Sequence, residues 1–237
     1  MTARAAPPLP RPRAEIRAAL WMTGAIASFS LMAVAGRALS DGFDTFEILM
    51  YRSVVGWLIV VAFGLAAGRL AEMRTARPGL HLTRNLFHFA GQNLWFFALA
   101  LIPLAQLFAI EFTTPLWVAL LAPLVLGERL TRARVAAAGL GFLGVLVVAR
   151  PGLTPVDIGH LAVLAAALGF AGNVLATKGL SRTETVWTIL FWMTAMQAGM
   201  GLVCAGVDVD MRLPGPGAMA WLAVVGVCGL GAHLSIA

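Results

Sequence analysis

Eight apolar stretches, each long enough to cross a bilayer, fill almost the whole of this 237-residue chain. They run over about residues 18–38, 45–68, 83–102, 104–126, 133–150, 157–178, 185–207 and 217–237. A hydrocarbon core of about 30 Å takes roughly 20 apolar residues per helix. The residues are 60% hydrophobic and 12% charged, where a soluble domain is roughly a quarter charged. Between Asn85 and Gly127 only His88 and Glu111 can ionise, and Pro103 divides that segment into two helices. A soluble chain of this size could not cover so much apolar surface. The sequence is therefore read as an all-α polytopic membrane protein with eight transmembrane helices.

The basic residues predict its orientation. Arg4, Arg11, Arg13, Arg17, Arg69, Arg74, Arg77, Arg84, Arg129, Arg132, Arg134, Lys178 and Arg182 fall on one side, 13 of the 17 Lys and Arg residues. Arg37, Arg150 and Arg212 fall on the other, with Asp41, Asp44, Asp157, Asp208 and Asp210, while Arg52 lies inside the second helix. Short cytoplasmic loops carry the excess of Lys and Arg, so the N-terminus and the loops at 69–84 and 128–134 are predicted to be cytoplasmic. The loops at 40–44 and 208–216 are then outside. The net charge of +6 follows from this topology. No basic–aromatic module of the kind that reads bases accompanies it, and no nucleic-acid partner is expected.

Residues 1–17 begin MTARAAPPLPRPR and read as a disordered cytoplasmic tail. The apolar run after it is too long for a signal h-region and no cleavage site is evident, so the first helix is an uncleaved anchor. Cys204 and Cys228 lie within apolar runs and read as small hydrophobes. His81, His88, His160 and His233 are scattered without ligand spacing, and neither a metal nor a cofactor is expected.

Several blocks in the Leu80–Gly152 stretch closely resemble the first repeat of the EamA family, in the drug/metabolite transporter superfamily. They are ALIPLAQ at Ala100–Gln106, TTPLWVALLAPLVLGERL at Thr113–Leu130 and GFLGVLVVARPG at Gly141–Gly152. Arg52 falls where the family tends to have an Arg, and IEFTTPLW is most similar to the subgroup with S-adenosylmethionine and riboflavin transporters. The resemblance implies two five-helix repeats of inverted topology. Residues 18–152 would be the first repeat and 157–237 helices one to three of the second. GAHL at Gly231–Leu234 can be laid over GQNL at Gly91–Leu94, which makes His233 the counterpart of Asn93. Against that frame the ninth and tenth helices are missing, and the chain is expected to be a fragment or a truncated reading frame.

A charged side chain in the bilayer is costly and faces protein or a water-filled cavity. Glu111 is roughly 10 Å deep from the outer face at the usual helical rise. Pro115 follows four residues later and deprives the Glu111 carbonyl of its helical hydrogen bond, so the fourth helix should kink there. Thr113 and Thr114 are placed to satisfy the opened backbone. Glu111 either neutralises Arg52, at similar depth in the second helix, or contacts substrate or proton; the spacing leaves both open. In the third helix Arg84, His88, Gln92 and Trp95 form one stripe at i, i+4, i+8 and i+11, flanked by Asn93 and Phe96. Donors beside aromatic rings suit a planar polar metabolite, although polar groups also bond between helices. Glu111, Gln92, Asn93, His88, Trp95 and Thr114 are thus the candidate substrate-binding residues, and Pro115 and Arg52 the candidate structural or gating ones. Asn173, Gln197 and His233 are weaker candidates. Ala137, Gly141 and Gly144, with Gly226 and Gly229, are expected to serve close helix packing.

The expected function is secondary transport of a small polar or amphiphilic metabolite across a bacterial-type inner membrane by alternating access. No P-loop is present, so coupling would be to protons or to exchange. Without GxSxG or a paired acidic motif, no enzyme is expected. The rival reading is a non-transporting membrane subunit or an inactive truncated remnant of such a transporter.

Overall fold

A computed structural model describes residues 12–127, 131–149, 155–207 and 211–236. These form α1 (Pro12–Leu39), α2 (Thr45–Ala66), α3 (Pro78–Leu101), α4 (Leu104–Glu111), α5 (Thr114–Leu126), α6 (Arg132–Ala149), α7 (Ile158–Leu180), α8 (Val186–Val207) and α9 (Pro216–Ile236). A 3₁₀ turn, Leu70–Met73, lies between α2 and α3. Each apolar run of the sequence becomes one helix, except that 104–126 is broken into α4 and α5.

Local chemistry explains the helix ends. The Asp44 carboxylate accepts from the Glu47 amide at 2.8 Å and the Glu47 carboxylate from the Asp44 amide at 3.0 Å, a reciprocal cap for α2. Asp157 and His160 cap α7 in the same way. Pro78 opens α3 at a position where a missing N–H costs nothing. Gly127 closes α5 at φ 67°, in the left-handed region that favours glycine.

The break between α4 and α5 follows from Pro115. The Thr114 hydroxyl donates to the Glu111 carbonyl at 2.7 Å, and the Thr113 hydroxyl to the Ile110 carbonyl at 2.7 Å. Side chains thus take up acceptors that the chain turn leaves over.

Helices remote in sequence pack together. α3 lies along α7, α1 along α9, and α2 along α8 and α9, while α4 and α5 cover α7 and α6 lies outside them. Small residues allow the close approaches. A Cβ on Gly169 would meet the Phe87 carbonyl at 3.0 Å, and one on Gly201 would meet Met50 backbone atoms at 2.9 and 3.1 Å. Gly226 and Gly229 are packed as expected, against Val55 and Arg52. Gly141 and Gly144 are not: no described atom approaches their Cβ positions. Ala137 and Gly141 instead line an apolar groove of about 560 Å³ between α5, α6 and α7.

The polarity is that of a membrane protein. Arg52, Arg84, His88 and Gln92 are buried, whereas Leu124, Leu140 and Val147 project outward. Water would reverse this arrangement, and hydrocarbon favours it. Among the described residues six helices are long and apolar enough to span by themselves, counting 104–126 as one. α3 is not among them because its own polar stripe dilutes it, and α6 supplies only the shorter apolar stretch Val135–Val148. The eight expected helices are thus present among the described residues with 104–126 taken as one, and six of them meet this measure.

The helix ends sort into two sets. At one end the segment after α2 meets the α7–α8 turn: Thr75 donates to Glu184, His81 lies 3.2 Å from Glu184, and Trp192 donates to the Met73 carbonyl at 3.0 Å. There the Arg69 guanidinium, beside Glu72, holds that carboxyl below the usual carboxylate range. At the other end Arg37 donates to the carbonyls of Leu99 and Ile102, and Arg212 binds Glu47 and the Gly42 carbonyl. Residues 12–17, assigned to the tail, belong to α1, since Pro12 suits a first helical position and Ala14, Glu15 and Arg17 favour helix. Residues 1–11, Glu128–Leu130, Arg150–Thr154, Asp208–Asp210 and Ala237 lie outside the described residues, with the expectations that fall on them.

Candidate functional site

The stripe on α3 is buried along its whole length: Arg84, His88, Gln92 and Trp95 are each only 3–4% exposed. α3 can bury this many polar groups because α7, α8 and α1 surround it. Three features define the interior around the stripe.

The first is a pair of rings. His88 of α3 and His233 of α9 meet edge-to-face with centroids 4.8 Å apart. Phe170 of α7 lies 6.0 Å from His88, and Phe29 of α1 lies 6.3 Å from His233. Residues far apart in sequence therefore converge here.

The second feature is the number of polar atoms without partners. Both nitrogens of His88, Nη1 of Arg52, Oε1 of Gln92 and Oδ1 of Asn173 are buried and unbonded. Buried polar groups are normally satisfied, and each exception needs a reason. His81 Nδ1 and Trp117 Nε1 are likewise buried and unbonded.

The third is the setting of the arginines. Arg52 lies across Gly229, where a Cβ would stand 2.3 Å from its Nε. The bare glycine is thus the space the guanidinium occupies. Arg84 bonds neutral partners, Thr177 at 2.9 Å, Asn85 at 3.4 Å and the Met193 sulfur at 3.5 Å. A cavity of only about 10 Å³, bounded by Arg52, Gly56, Thr194 and Gln197 among others, remains between α2, α8 and α9. That is about the least space that holds one water.

Other candidates are placed elsewhere. Glu111 is half-buried and accepts from the Trp95 indole N–H at 2.8 Å. Among the described residues it makes no ion pair with Arg52, which goes against the neutralising alternative of the two left open by the sequence. Trp95 is seven residues from His88, about 10 Å along α3, so Glu111 forms a second polar locus towards the outer end. Asn93 accepts from the Thr45 hydroxyl at 2.8 Å and donates to the Phe89 carbonyl at 2.8 Å. Both ends of its amide are committed, one to α2 and the other within α3, which takes it out of the interior set. The Thr114 hydroxyl is spent on backbone carbonyls, and Thr114 and Pro115 face the α5–α6–α7 groove.

Asn85 escaped the sequence reading. It is fully buried and bonds Gln197 at 3.3 Å and the His81 carbonyl at 2.9 Å. It lies one residue off the stripe, and only the packing of α8 against α3 widens the buried face to include it. The signal available was Asn85 and Gln92 at i, i+7. Among the described residues no group of three His, Cys, Asp or Glu side chains could hold a metal.

Comparison with known proteins agrees with this architecture. A solved crystal structure, 24% identical, superposes with a TM-score of 0.68 over 92% of this chain and 77% of its own, and shows the same fold. A riboflavin transporter of Rhizobium johnstonii is 32% identical over 81% of this chain and 65% of its own length. An S-adenosylmethionine uptake transporter of Rickettsia prowazekii is 25% identical over 78% and 63%. A pseudopaline exporter of Pseudomonas aeruginosa is 29% identical over 71% and 59%. The chain thus spans a little under two thirds of these relatives. The EamA-like transporter family matches residues 16–150, and the chain belongs to that family.

Proposed function

We propose that the protein takes part in secondary transport of a small polar or amphiphilic metabolite, binding it at the His88–His233 level between two inverted halves, 18–152 and 157–237. The observation that carries this reading is the set of buried, unbonded polar atoms on Arg52, His88, Gln92 and Asn173. The relatives' names make riboflavin and S-adenosylmethionine the first substrates to try.

The helix pairing supports an inverted repeat. If α7, α8 and α9 are matched to α1, α2 and α3, the pair α1–α9 exchanges with α7–α3, and α2–α8 maps onto itself. These are the three most extensive pairings, the pattern that a pseudo-two-fold axis between the halves would require. Inverted repeats of this kind place the site at their interface.

Alternating access then has a structural counterpart in the two sets of end contacts, Thr75 and His81 with Glu184 at one end and Arg37 and Arg212 at the other. Opening one set while the other holds would expose the interior to one side. With the positive-inside rule, the end bearing Arg69, Arg74 and Arg77 is cytoplasmic and so is the N-terminus. The membrane is a bacterial inner membrane, and coupling is to protons or to exchange.

The test is uptake of labelled riboflavin and S-adenosylmethionine into proteoliposomes, with and without a pH gradient. His88→Ala and Gln92→Ala should each lower uptake by about tenfold or more, the equivalent of about 1.4 kcal/mol at the site, with protein abundance unchanged. Uptake as fast as wild type in both variants would exclude the cluster as the site.

A further inference from the structure

We infer that the cluster around Arg52, Arg84, His88 and His233 takes hold of its ligand through an oxyanion, a carboxylate or phosphate group. The inference rests on the reading of that cluster as the transport site and adds the chemical class of what it binds.

A count of charges carries it. Arg52 and Arg84 are 5% and 3% exposed, and neither has a salt-bridge partner among the described residues. The carboxylates that reach the interior are engaged elsewhere. Glu47 accepts the Asp44 and Arg212 amides, Glu111 accepts the Trp95 indole, and Glu184 is held by His81 and Thr75. Two guanidinium groups therefore enter the membrane interior without a counter-ion among the described residues. A buried charge is normally paired, and leaving one unpaired is strongly unfavourable.

The geometry shows that Arg52 is placed there rather than merely tolerated. Gly229 clears the space that its guanidinium fills, yet Nη1 meets no acceptor. Arg84 is anchored by Thr177, Asn85 and Met193, which orient it without neutralising it. The two imidazoles at 4.8 Å add donors whose tautomers can adapt, and neither His88 nitrogen is bonded.

Each alternative ligand class leaves the charge worse or unchanged. A cation, metal ions included, would add a further positive charge beside two arginines. A ligand without a negatively charged group, riboflavin included, would cover the site but leave both guanidiniums uncompensated, so of the two uptake substrates only S-adenosylmethionine, through its carboxylate, fits this inference. An oxyanion neutralises them and matches the paired N–H groups of guanidinium. The free Oε1 of Gln92 and Oδ1 of Asn173 are acceptors, which suit hydroxyl or amide N–H groups on the rest of the molecule. Phe29 and Phe170 supply apolar walls for it.

The experiment compares benzoate, phenyl phosphate and the uncharged benzamide as probes on the purified chain in nanodiscs, with melting followed by tryptophan fluorescence. At about ten times its Kd an oxyanion probe should raise Tm by about 3 °C or more, while benzamide should not. A preference for benzoate or for phenyl phosphate identifies which oxyanion fits. Arg52→Gln should remove the response and Arg52→Lys, which keeps the charge, should retain part of it. If Arg52→Gln folds poorly, Arg84→Gln supplies the same comparison. Without any probe, Arg52→Gln should melt no lower than wild type, because it removes an uncompensated charge; a purely structural arginine would give a lower Tm. Equal stabilisation by benzamide, or none by either anion, overturns the oxyanion assignment. Uptake that needs His88 and Gln92 together with such a result keeps the site and discards its charge class, whereas uptake indifferent to both residues discards the site itself.

Discussion

Gly229 should separate transport from folding. In Gly229→Ala the new Cβ would stand 2.3 Å from Arg52 Nε, 2.8 Å from Nη2 and 2.9 Å from Cζ. Ordinary carbon contacts lie at about 3.5–4.0 Å, so the guanidinium must retreat by about 1 Å or swing to another rotamer. Crowding of a packed interior typically costs about 1–3 kcal/mol, but here the obstructing atoms are the end of a flexible side chain. Alanine also returns about 1 kcal/mol through its helix propensity. The net change in stability should therefore be within about 1 kcal/mol, or a few degrees in Tm. Function should respond far more, since a displacement of about 1 Å in a positioned group can cost of order a hundredfold in rate. The assay is substrate uptake in proteoliposomes alongside melting in detergent. Gly229→Ala is expected to melt near wild type and to transport at least about tenfold more slowly. Wild-type uptake would refute the idea that Arg52 must occupy the space beside α9, and a collapse in Tm would refute the separation of the two roles.

Gly201→Ala is the contrasting case. Its Cβ would meet Met50 backbone at 2.9 and 3.1 Å, atoms that cannot swing away, so α2 and α8 must part and melting should fall by several degrees, corresponding to about 1–3 kcal/mol. Thr114→Val removes the donor that serves the Glu111 carbonyl at 2.7 Å and should lower stability by about 1 kcal/mol, while Thr114→Ser should melt like wild type. Glu111→Gln keeps an acceptor for the Trp95 indole and should fold normally; if Glu111 carries the coupled proton, uptake in this variant loses its response to a pH gradient, and an unchanged response assigns coupling elsewhere. In a background without Cys204 and Cys228, Arg74→Cys should resist an impermeant maleimide in intact cells and Asp41→Cys should react. The opposite pattern would invert the proposed orientation.

The membrane class, the helix count by apolar run and the break near Pro115 could be read from the sequence, because hydrocarbon thickness and backbone chemistry act locally. The α3 stripe was legible for the same reason: a period of 3.6 residues puts Arg84, His88, Gln92 and Trp95 on one face wherever that face points. The partners of those residues were not legible. Counted along their own helices, Arg52 and Glu111 lie equally far from the outer ends and are opposite in charge, yet position along a helix says nothing about azimuth around the bundle. The tertiary structure turns Glu111 to Trp95 and Arg52 to Gly229. Asn93 looks like its neighbour Gln92 in the sequence, but a rotation of about 100° per residue carries it to Thr45 and out of the interior. His88 and His233 are 145 residues apart, and only the packing of α3, α9 and α1 brings their rings together. Sequence thus decided what could enter the membrane and in what form. The pairing of helices decided which polar groups face one another, because that depends on contacts between segments whose spacing along the chain carries no information about their neighbours in space.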